Sequence, residues 1–171
     1  INDHFNAVHV GVEILSMSKR ITHEVMALAE DLNIRIDYTD TDSMHIENDK
    51  VELLATEFKK IYGRDLIGSK MGQFHNDFAK LEIGTDDKGK KIYKAADYAV
   101  ESIFLSKKIY ADKIQYTVGD NIIYKYHYRL KGIPSKVVQK KADDEFEGDI
   151  MALYNHMYNS NKVEFDLLSC G

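Results

Sequence analysis

The segment that decides the fold reads IRIDYTDTDSMHIE and covers residues 34–47. Its first five residues alternate between apolar and polar side chains, which is typical of a half-buried β-strand. The polar run 39–43 follows, and the last four residues of the segment alternate again. Because Asp, Ser and Thr favour tight turns, the segment predicts a β-hairpin with Asp40 and Asp42 at its tip.

The two aspartates of this tip are candidate metal ligands. Side chains two residues apart on an extended backbone project to the same side, so Asp40 and Asp42 are expected to converge. Mg²⁺ fits such a place, since it takes one or two carboxylates and completes its shell with water and phosphate oxygens. The matching chemistry is phosphoryl transfer with two metal ions. A purely structural Asp-rich turn is the competing interpretation, whereas Met44 and His45 exclude a calcium loop of the EF-hand type.

Helices are predicted on both sides of the hairpin. Upstream, apolar residues recur in steps of three and four, which predicts a helix of about 20 residues with one buried stripe. The stripe consists of Val10, Ile14, Met17, Ile21, Val25, Leu28 and Leu32. Asn33 is expected to end this helix in a left-handed conformation. A second helix is expected over about Lys50 to Tyr62, ending at Gly63.

The rest of the chain is predicted to be mainly strands followed by helices. The expected strands cover about residues 71–83, 91–93, 99–105, 108–117, 122–130 and, at the end, 163–168. Helical patterns run from Pro134 through Lys141 and over residues 146–158. The strand 122–130 alternates Tyr with Lys, His and Arg, so one face is aromatic and the other basic. Runs of helix and runs of strand without strict alternation indicate an α+β fold.

Composition limits the class of protein. The chain has 171 residues, of which 44% are hydrophobic and 30% charged, an ordinary balance for a globular protein with a real core. No apolar run has the roughly 18 to 20 residues that a membrane span needs, so we expect a soluble protein without a membrane partner. The single cysteine, Cys170, excludes a disulfide framework and a cysteine-based zinc site.

The charges are segregated along the chain, although the net charge is only −5. Residues 24–57 carry ten acidic side chains against two basic ones, and residues 103–141 carry nine basic side chains against two acidic ones. Such a pattern is expected where one region binds metal and another binds phosphate. Long surface faces also drift in sign by chance, which is the alternative explanation.

The acidic hairpin resembles a known family. Residues 38–43 are similar to the Tyr-x-Asp-Thr-Asp-Ser motif of family B DNA polymerases, which lies on a hairpin of the palm subdomain. About 65 residues downstream, residues 106–110 resemble the Lys-x-Tyr motif of that family, and residues 131–132 resemble its Lys-Gly element at the border of palm and thumb. Residues 68–74 resemble a segment found between these motifs in the viral and protein-primed branches.

The resemblance implies roles for individual residues. Asp42 would be the principal metal-bridging catalytic carboxylate, with Asp40 supporting it, and Mg²⁺ would be the cofactor as two ions in the complete enzyme, with Mn²⁺ as a substitute. The residues Tyr38, Thr41 and Ser43 would support the nucleotide site. The residues that would bind template–primer DNA are Lys107, Lys108, Tyr110, Lys131 and Gly132. The other substrates would be deoxynucleoside triphosphates.

The family also has two upstream motifs that are not found here, one with a further Asp and one with a Lys that contacts the incoming nucleotide. The resemblance therefore implies a fragment: residues 1–132 as the C-terminal part of the palm and residues 133–171 as a partial thumb. Its partner would be the remainder of the same DNA-directed DNA polymerase, and the fragment alone is expected to be inactive. The implied location is intracellular, in the host cytoplasm or nucleus for a viral enzyme.

Two other classes of function stay open. The chain could be a non-catalytic nucleic-acid-binding module derived from a polymerase palm. It could also be a structural or regulatory protein with an acidic hairpin, which would have no affinity for DNA at any salt concentration.

Overall fold

The computed structural model describes residues 8–167. Within them, the elements in chain order are α1 (Val8–Asp31), β1 (Ile36–Asp40), β2 (Ser43–Ile46), a 3-10 helix (Asn48–Lys50), α2 (Val51–Tyr62), β3 (Leu81–Thr85), β4 (Lys91–Lys94), β5 (Tyr98–Ser106), β6 (Ile109–Val118), β7 (Asn121–Leu130), α3 (Ser135–Glu145) and α4 (Ile150–Tyr158). Helices combine with small antiparallel sheets, which confirms the α+β class. The contacts divide the chain into two units, residues 1–75 and residues 76–171.

The first unit packs α1, α2 and the β1–β2 hairpin around one apolar core. Its buried residues are Val25, Leu28, Ala29, Ile34, Leu54, Phe58 and Leu66. The predicted stripe of α1 is buried at Val25 and Leu28, but the prediction is wrong for Val10, Ile14 and Met17, which are exposed. The physical reason is that α2 and the hairpin supply core residues only to the C-terminal part of α1.

The ends of both helices in this unit follow local chemistry. Asn33 adopts a left-handed backbone with φ of 54°, as predicted. Gly63 closes α2 with φ of 68°, and its N–H donates to the carbonyl of Lys59. The absence of a Cβ makes this conformation cheap for glycine.

In the second unit, β5, β6 and β7 form an antiparallel sheet with β6 in the centre. Helices α3 and α4 pack against one face of this sheet, where Ala111, Val138 and Leu153 are fully buried. Tyr126 and Tyr128 pack against the same core. The aromatic face of β7 therefore serves core packing at Tyr126 and Tyr128, whereas Tyr124 is exposed. The basic face lies on the other side of the sheet.

Two strand predictions are wrong. The strand expected over residues 71–83 begins only at Leu81, because a turn precedes it in which Gly72 has φ of 80° and the N–H of Gln73 donates to the carbonyl of Lys70. The strand expected over residues 163–168 is not formed in its described part, since Val163 and Phe165 pack against the second core without a pairing partner. Leu168 lies outside the described residues.

The helices that follow residue 132 pack against the sheet that precedes it. The division into palm and thumb at this point stays a prediction.

Over residues 8–167, no helix combines the length and the apolar character that crossing a membrane requires.

Candidate metal and nucleic-acid sites

The acidic hairpin of the first unit is built as the sequence predicts. Strands β1 and β2 are antiparallel, and Asp40 pairs with Ser43, so that the turn consists of Thr41 and Asp42. The N–H of Asp42 and the hydroxyl of Ser43 both donate to the carbonyl of Asp40, at 2.7 and 3.1 Å. Thr41 has φ of 58°, a left-handed conformation that is uncommon for any residue other than glycine.

A β-bulge decides which way the side chains of β1 point. Ile36 pairs with Ile46 and Tyr38 pairs with His45, so Asp37 is an extra residue in β1. Residues directly opposite each other on paired strands share a face of the sheet. Both isoleucines pack against the first core. Without the bulge, Ile36 would share the face of Tyr38, because side chains alternate with a period of two.

The bulge therefore places Tyr38 and Asp40 on the face opposite to the core-packing isoleucines. The ring of Tyr38 contacts the ring of His45 edge-on, with centroids 5.5 Å apart and planes at 80°. Both rings are half-buried. Tyr38, one of the predicted nucleotide-site residues, is thus held by a cross-strand aromatic pair next to the acidic turn.

The two aspartates occupy different positions. Asp40 is half-buried at the end of β1, and its Oδ1 accepts a hydrogen bond from Thr41 Oγ1 at 3.2 Å. Asp42 is exposed in the turn. Because β1 ends at Asp40, the alternation of a strand does not extend to Asp42 and does not align its side chain with that of Asp40.

The donor set of the turn is chemically suited to a hard cation. Carboxylate oxygens are the ligands that Mg²⁺ takes, and one or two of them suffice when water and phosphate complete its shell. Over the described residues 8–167, no group of three or more His, Cys, Asp or Glu side chains is arranged to hold a metal. The role of Asp40 and Asp42 as metal ligands stays a prediction.

The predicted DNA-binding lysines meet at one end of the β5–β7 sheet in the second unit. Lys107 and Lys108 form the two-residue turn between β5 and β6, and Lys108 has φ of 63°. The N–H of Lys131 donates to the carbonyl of Lys108 at 3.1 Å. Gly132 follows with φ of 88°, a conformation that favours glycine. The structure thus brings Lys107, Lys108, Lys131 and Gly132 together.

Tyr110 lies two residues into β6 and is only 9% exposed. Its ring contacts the rings of Phe104 and His127, with centroids 6.4 and 5.5 Å away. A ring buried to this extent positions its neighbours and does not offer its face to a base. The role in DNA binding that the resemblance implies for Tyr110 stays a prediction.

Sequence reasoning missed a polar group in the middle of the same sheet. Asp112 is completely buried, accepts a hydrogen bond from Ser102 and lies within hydrogen-bond distance of His127 Nδ1. The signal was present in the sequence, because Asp112 stands in the alternating series Tyr110, Asp112, Ile114, whose other members are apolar or aromatic. An acid at such a position indicates a buried carboxylate that needs partners on the neighbouring strands.

No protein-family model, no curated protein and no solved structure matches this chain. The resemblance to family B DNA polymerases therefore stays a prediction from the motifs of the sequence.

Proposed function

We propose that this chain is the C-terminal palm and partial thumb of a family B DNA polymerase. The complete enzyme would add deoxynucleotides to a primer by template-directed, two-metal phosphoryl transfer. The observation that carries this proposal is the hairpin of residues 38–43, in which Asp40 ends β1 on the face of Tyr38 and Asp42 is exposed in the two-residue turn that follows. A hairpin tip that bears two carboxylates and is held by backbone hydrogen bonds is suited to binding a metal ion.

The aspartates would hold Mg²⁺, or Mn²⁺ in its place, and the bound ions would stabilise the charge that develops on the transferring phosphate. Thr41 and Ser43 support this role through the contacts they make. The Thr41 hydroxyl donates to the Asp40 carboxylate, and the Ser43 hydroxyl donates to the Asp40 carbonyl. Both bonds restrict the conformation of the turn, so that less ordering is needed when metal and substrate bind.

The lysines of the second unit would bind the backbone of the template–primer duplex. Lys107 is exposed, Lys108 is half-buried, and the backbone bond from Lys131 to Lys108 keeps the end of β7 beside the turn. Cations gathered in this way neutralise phosphates and release counterions, which supplies affinity without a sequence code. Such binding is what a polymerase needs, since it must move along any sequence.

A non-catalytic nucleic-acid-binding module is the second candidate. The observation that favours it is that residues 8–167 place no third metal-ligating side chain beside Asp40 and Asp42. Such a module would use the same lysines and would bind DNA without extending it.

Primer extension decides between the two. The protein assayed is the one encoded by this chain's coding sequence together with the coding sequence upstream of it. It is incubated with a primed template, the four deoxynucleoside triphosphates and Mg²⁺ or Mn²⁺. The polymerase proposal requires extension that depends on the metal and on Asp42. DNA binding without any extension would favour the module, and a polypeptide that neither binds nor extends DNA would contradict both.

A further inference from the structure

A buried carboxylate at the centre of the β5–β7 sheet calls for an explanation. Asp112 lies on the middle strand β6 and has no exposed surface. Removing a carboxylate from water is costly unless charged or hydrogen-bonding partners replace the water. Ser102 Oγ donates to one oxygen at 2.7 Å, and His127 Nδ1 lies 3.1 Å from the other. Ser102 and His127 stand directly opposite Asp112 on the two neighbouring strands.

This arrangement fixes the orientation of the His127 ring. Because an ionised carboxylate only accepts hydrogen bonds, Nδ1 carries the proton that it shares with Asp112, and Nε2 is directed away from it. The ring also contacts Phe78 and Tyr110, with centroids 5.6 and 5.5 Å away. The His127 side chain nevertheless keeps 33% of its surface exposed. A ring held on several sides but open to solvent is positioned for a ligand.

The surroundings of His127 are basic. Lys125 and Arg129 are its neighbours at two residues' distance along β7, so they lie on the same face of the sheet, about 7 Å away on either side. Both are exposed. The titratable groups facing the ring from β6 are the Asp112 carboxyl and the Tyr110 phenol. On the segment that carries Phe78, the nearest titratable residues along the chain are Asp77 and Lys80, both exposed.

We propose that Ser102, Asp112 and His127 form a phosphodiester-binding subsite. In it, the Nε2–H of protonated His127 donates to a backbone phosphate of a nucleic acid lying along β7 between Lys125 and Arg129. Asp112 is the positioning residue that orients the imidazole, and Ser102 orients Asp112. The subsite adds a third phosphate contact to a basic row, and only the cationic form of an imidazole has an N–H at both ring nitrogens. This inference rests on the DNA-binding part of the proposed function.

The test measures DNA affinity at two pH values, since imidazole changes its charge between about pH 5 and 8. The 171-residue chain is titrated against a fluorescent primer–template duplex at about pH 6 and about pH 8.5, over a range of salt concentrations. We expect binding about tenfold tighter at the lower pH, the size expected for one charge-assisted hydrogen bond. The slope of log affinity against log salt should be steeper by about one unit at the lower pH.

His127→Asn is the main variant, because its amide retains a donor for Asp112 but lacks Nε2 and the positive charge. It should abolish most of the difference in affinity between the two pH values. The matched control is His156→Asn, on α4 at the other face of the sheet, where the ring contacts Phe146. The control should leave the pH response intact. Thermal unfolding of each variant verifies the fold.

His127→Arg is the second variant, and it decides the question even if His127→Asn does not fold. The guanidinium has donors for both Asp112 and a phosphate and keeps its charge at both pH values. It should bind DNA at the higher pH as tightly as the unmodified chain does at the lower one. A difference in affinity between the two pH values that keeps its full size in either variant would overturn the subsite while leaving the lysine-based DNA binding in place. A chain that binds no DNA at either pH would overturn the subsite together with the proposed DNA binding.

Discussion

At the scale of the residue, two non-glycine residues in left-handed backbone stand in the two candidate sites. Thr41 has φ of 58° in the acidic turn, and Lys108 has φ of 63° in the basic turn. A left-handed conformation costs an ordinary residue of order 1 kcal/mol or more, and such residues are concentrated at functional sites. Glycine would relieve this strain at both positions.

The first prediction concerns Asp42 in the complete polypeptide. Asp42→Asn keeps the size of the side chain but removes its charge, so any stabilisation of the transferring phosphate that depends on this carboxylate is lost. Primer extension should fall at least about a thousandfold, which corresponds to about 4 kcal/mol at 1.36 kcal/mol per tenfold. Thermal unfolding should stay near its original midpoint.

The control for this variant is Asp87→Asn, an exposed aspartate in the turn between β3 and β4. It removes a charge from the same kind of position and should leave extension unchanged. If Asp42→Asn lowered stability and still extended primers at the original rate, Asp42 would be a structural turn residue and the polymerase proposal would fail.

The second prediction concerns Lys108 and Lys131. Replacing either one by Ala should weaken binding of the chain to duplex DNA by a similar factor on all sequences, because phosphate contacts carry no sequence information. The slope of log affinity against log salt should become shallower by about one unit for each variant. Fluorescence anisotropy on two duplexes of unrelated sequence measures both effects.

Lys88→Ala is the matched control for the lysine variants, since Lys88 is exposed in the β3–β4 turn of the same unit. It should change neither affinity nor slope. A loss of affinity confined to one of the two duplexes would show base-specific contacts and would contradict the assignment of Lys108 and Lys131 to the phosphate backbone.

At the scale of the element, local features define where a helix begins and to which face of a sheet the side chains of a strand point. The Asp37 bulge brings Ile36 into the first core and keeps Tyr38 on the opposite face. In the second unit, Asp149 caps α4, and its Oδ1 accepts from the N–H groups of Met151 and Ala152 at 2.8 and 3.2 Å. These bonds satisfy two of the donors that a helix N-terminus leaves unpaired.

The third prediction concerns this cap. Asp149→Ala should lower the free energy of unfolding by about 1 kcal/mol, within the range of about 0.5–2 kcal/mol found for such caps. The urea midpoint should fall without a change in the slope of the transition. The control is Asp144→Ala, which removes an exposed carboxylate paired with Lys140 and should cost less than about 0.5 kcal/mol. Equal losses for both variants would exclude a special role for the cap.

At the scale of the whole molecule, two units each have a core of their own. In residues 8–75 the core is centred on Phe58, which has no exposed surface, and in residues 76–167 it includes Leu153, which is equally buried. Each core gathers helices and strands of its own unit. The proposed metal ligands belong to the first unit and the proposed DNA-binding lysines to the second.

The fourth prediction tests this organisation. Phe58→Ala should lower the stability of the first unit by about 3–5 kcal/mol, the usual cost of removing a buried phenyl ring. Hydrogen exchange followed by mass spectrometry should show faster exchange in α1 and α2, with β5–β7 nearly unchanged. Leu53→Ala, an exposed position on α2, is the control and should have little effect. Equal acceleration throughout residues 8–167 would show that the chain unfolds as one cooperative structure.

The sequence by itself determined the features that depend on neighbours along the chain. The acidic hairpin follows from turn chemistry at residues 39–43, and the helix ends at Asn33 and Gly63 follow from the ease with which these residues adopt left-handed backbone. The alternation of β7 into aromatic and basic faces follows from the period of a strand. The acidic turn and the basic residues of the candidate sites could therefore be named from the sequence.

Tertiary structure alone decided the features that depend on residues far apart in the chain. The burial of Asp112 requires that Ser102 and His127 come into register on both sides of it, and no local pattern specifies that register. The bulge at Asp37 is visible only once Ile36 is paired with Ile46. The exposure of Ile14 depends on where α2 packs, because periodicity indicates which residues share a helix face and does not indicate which part of that face another element covers.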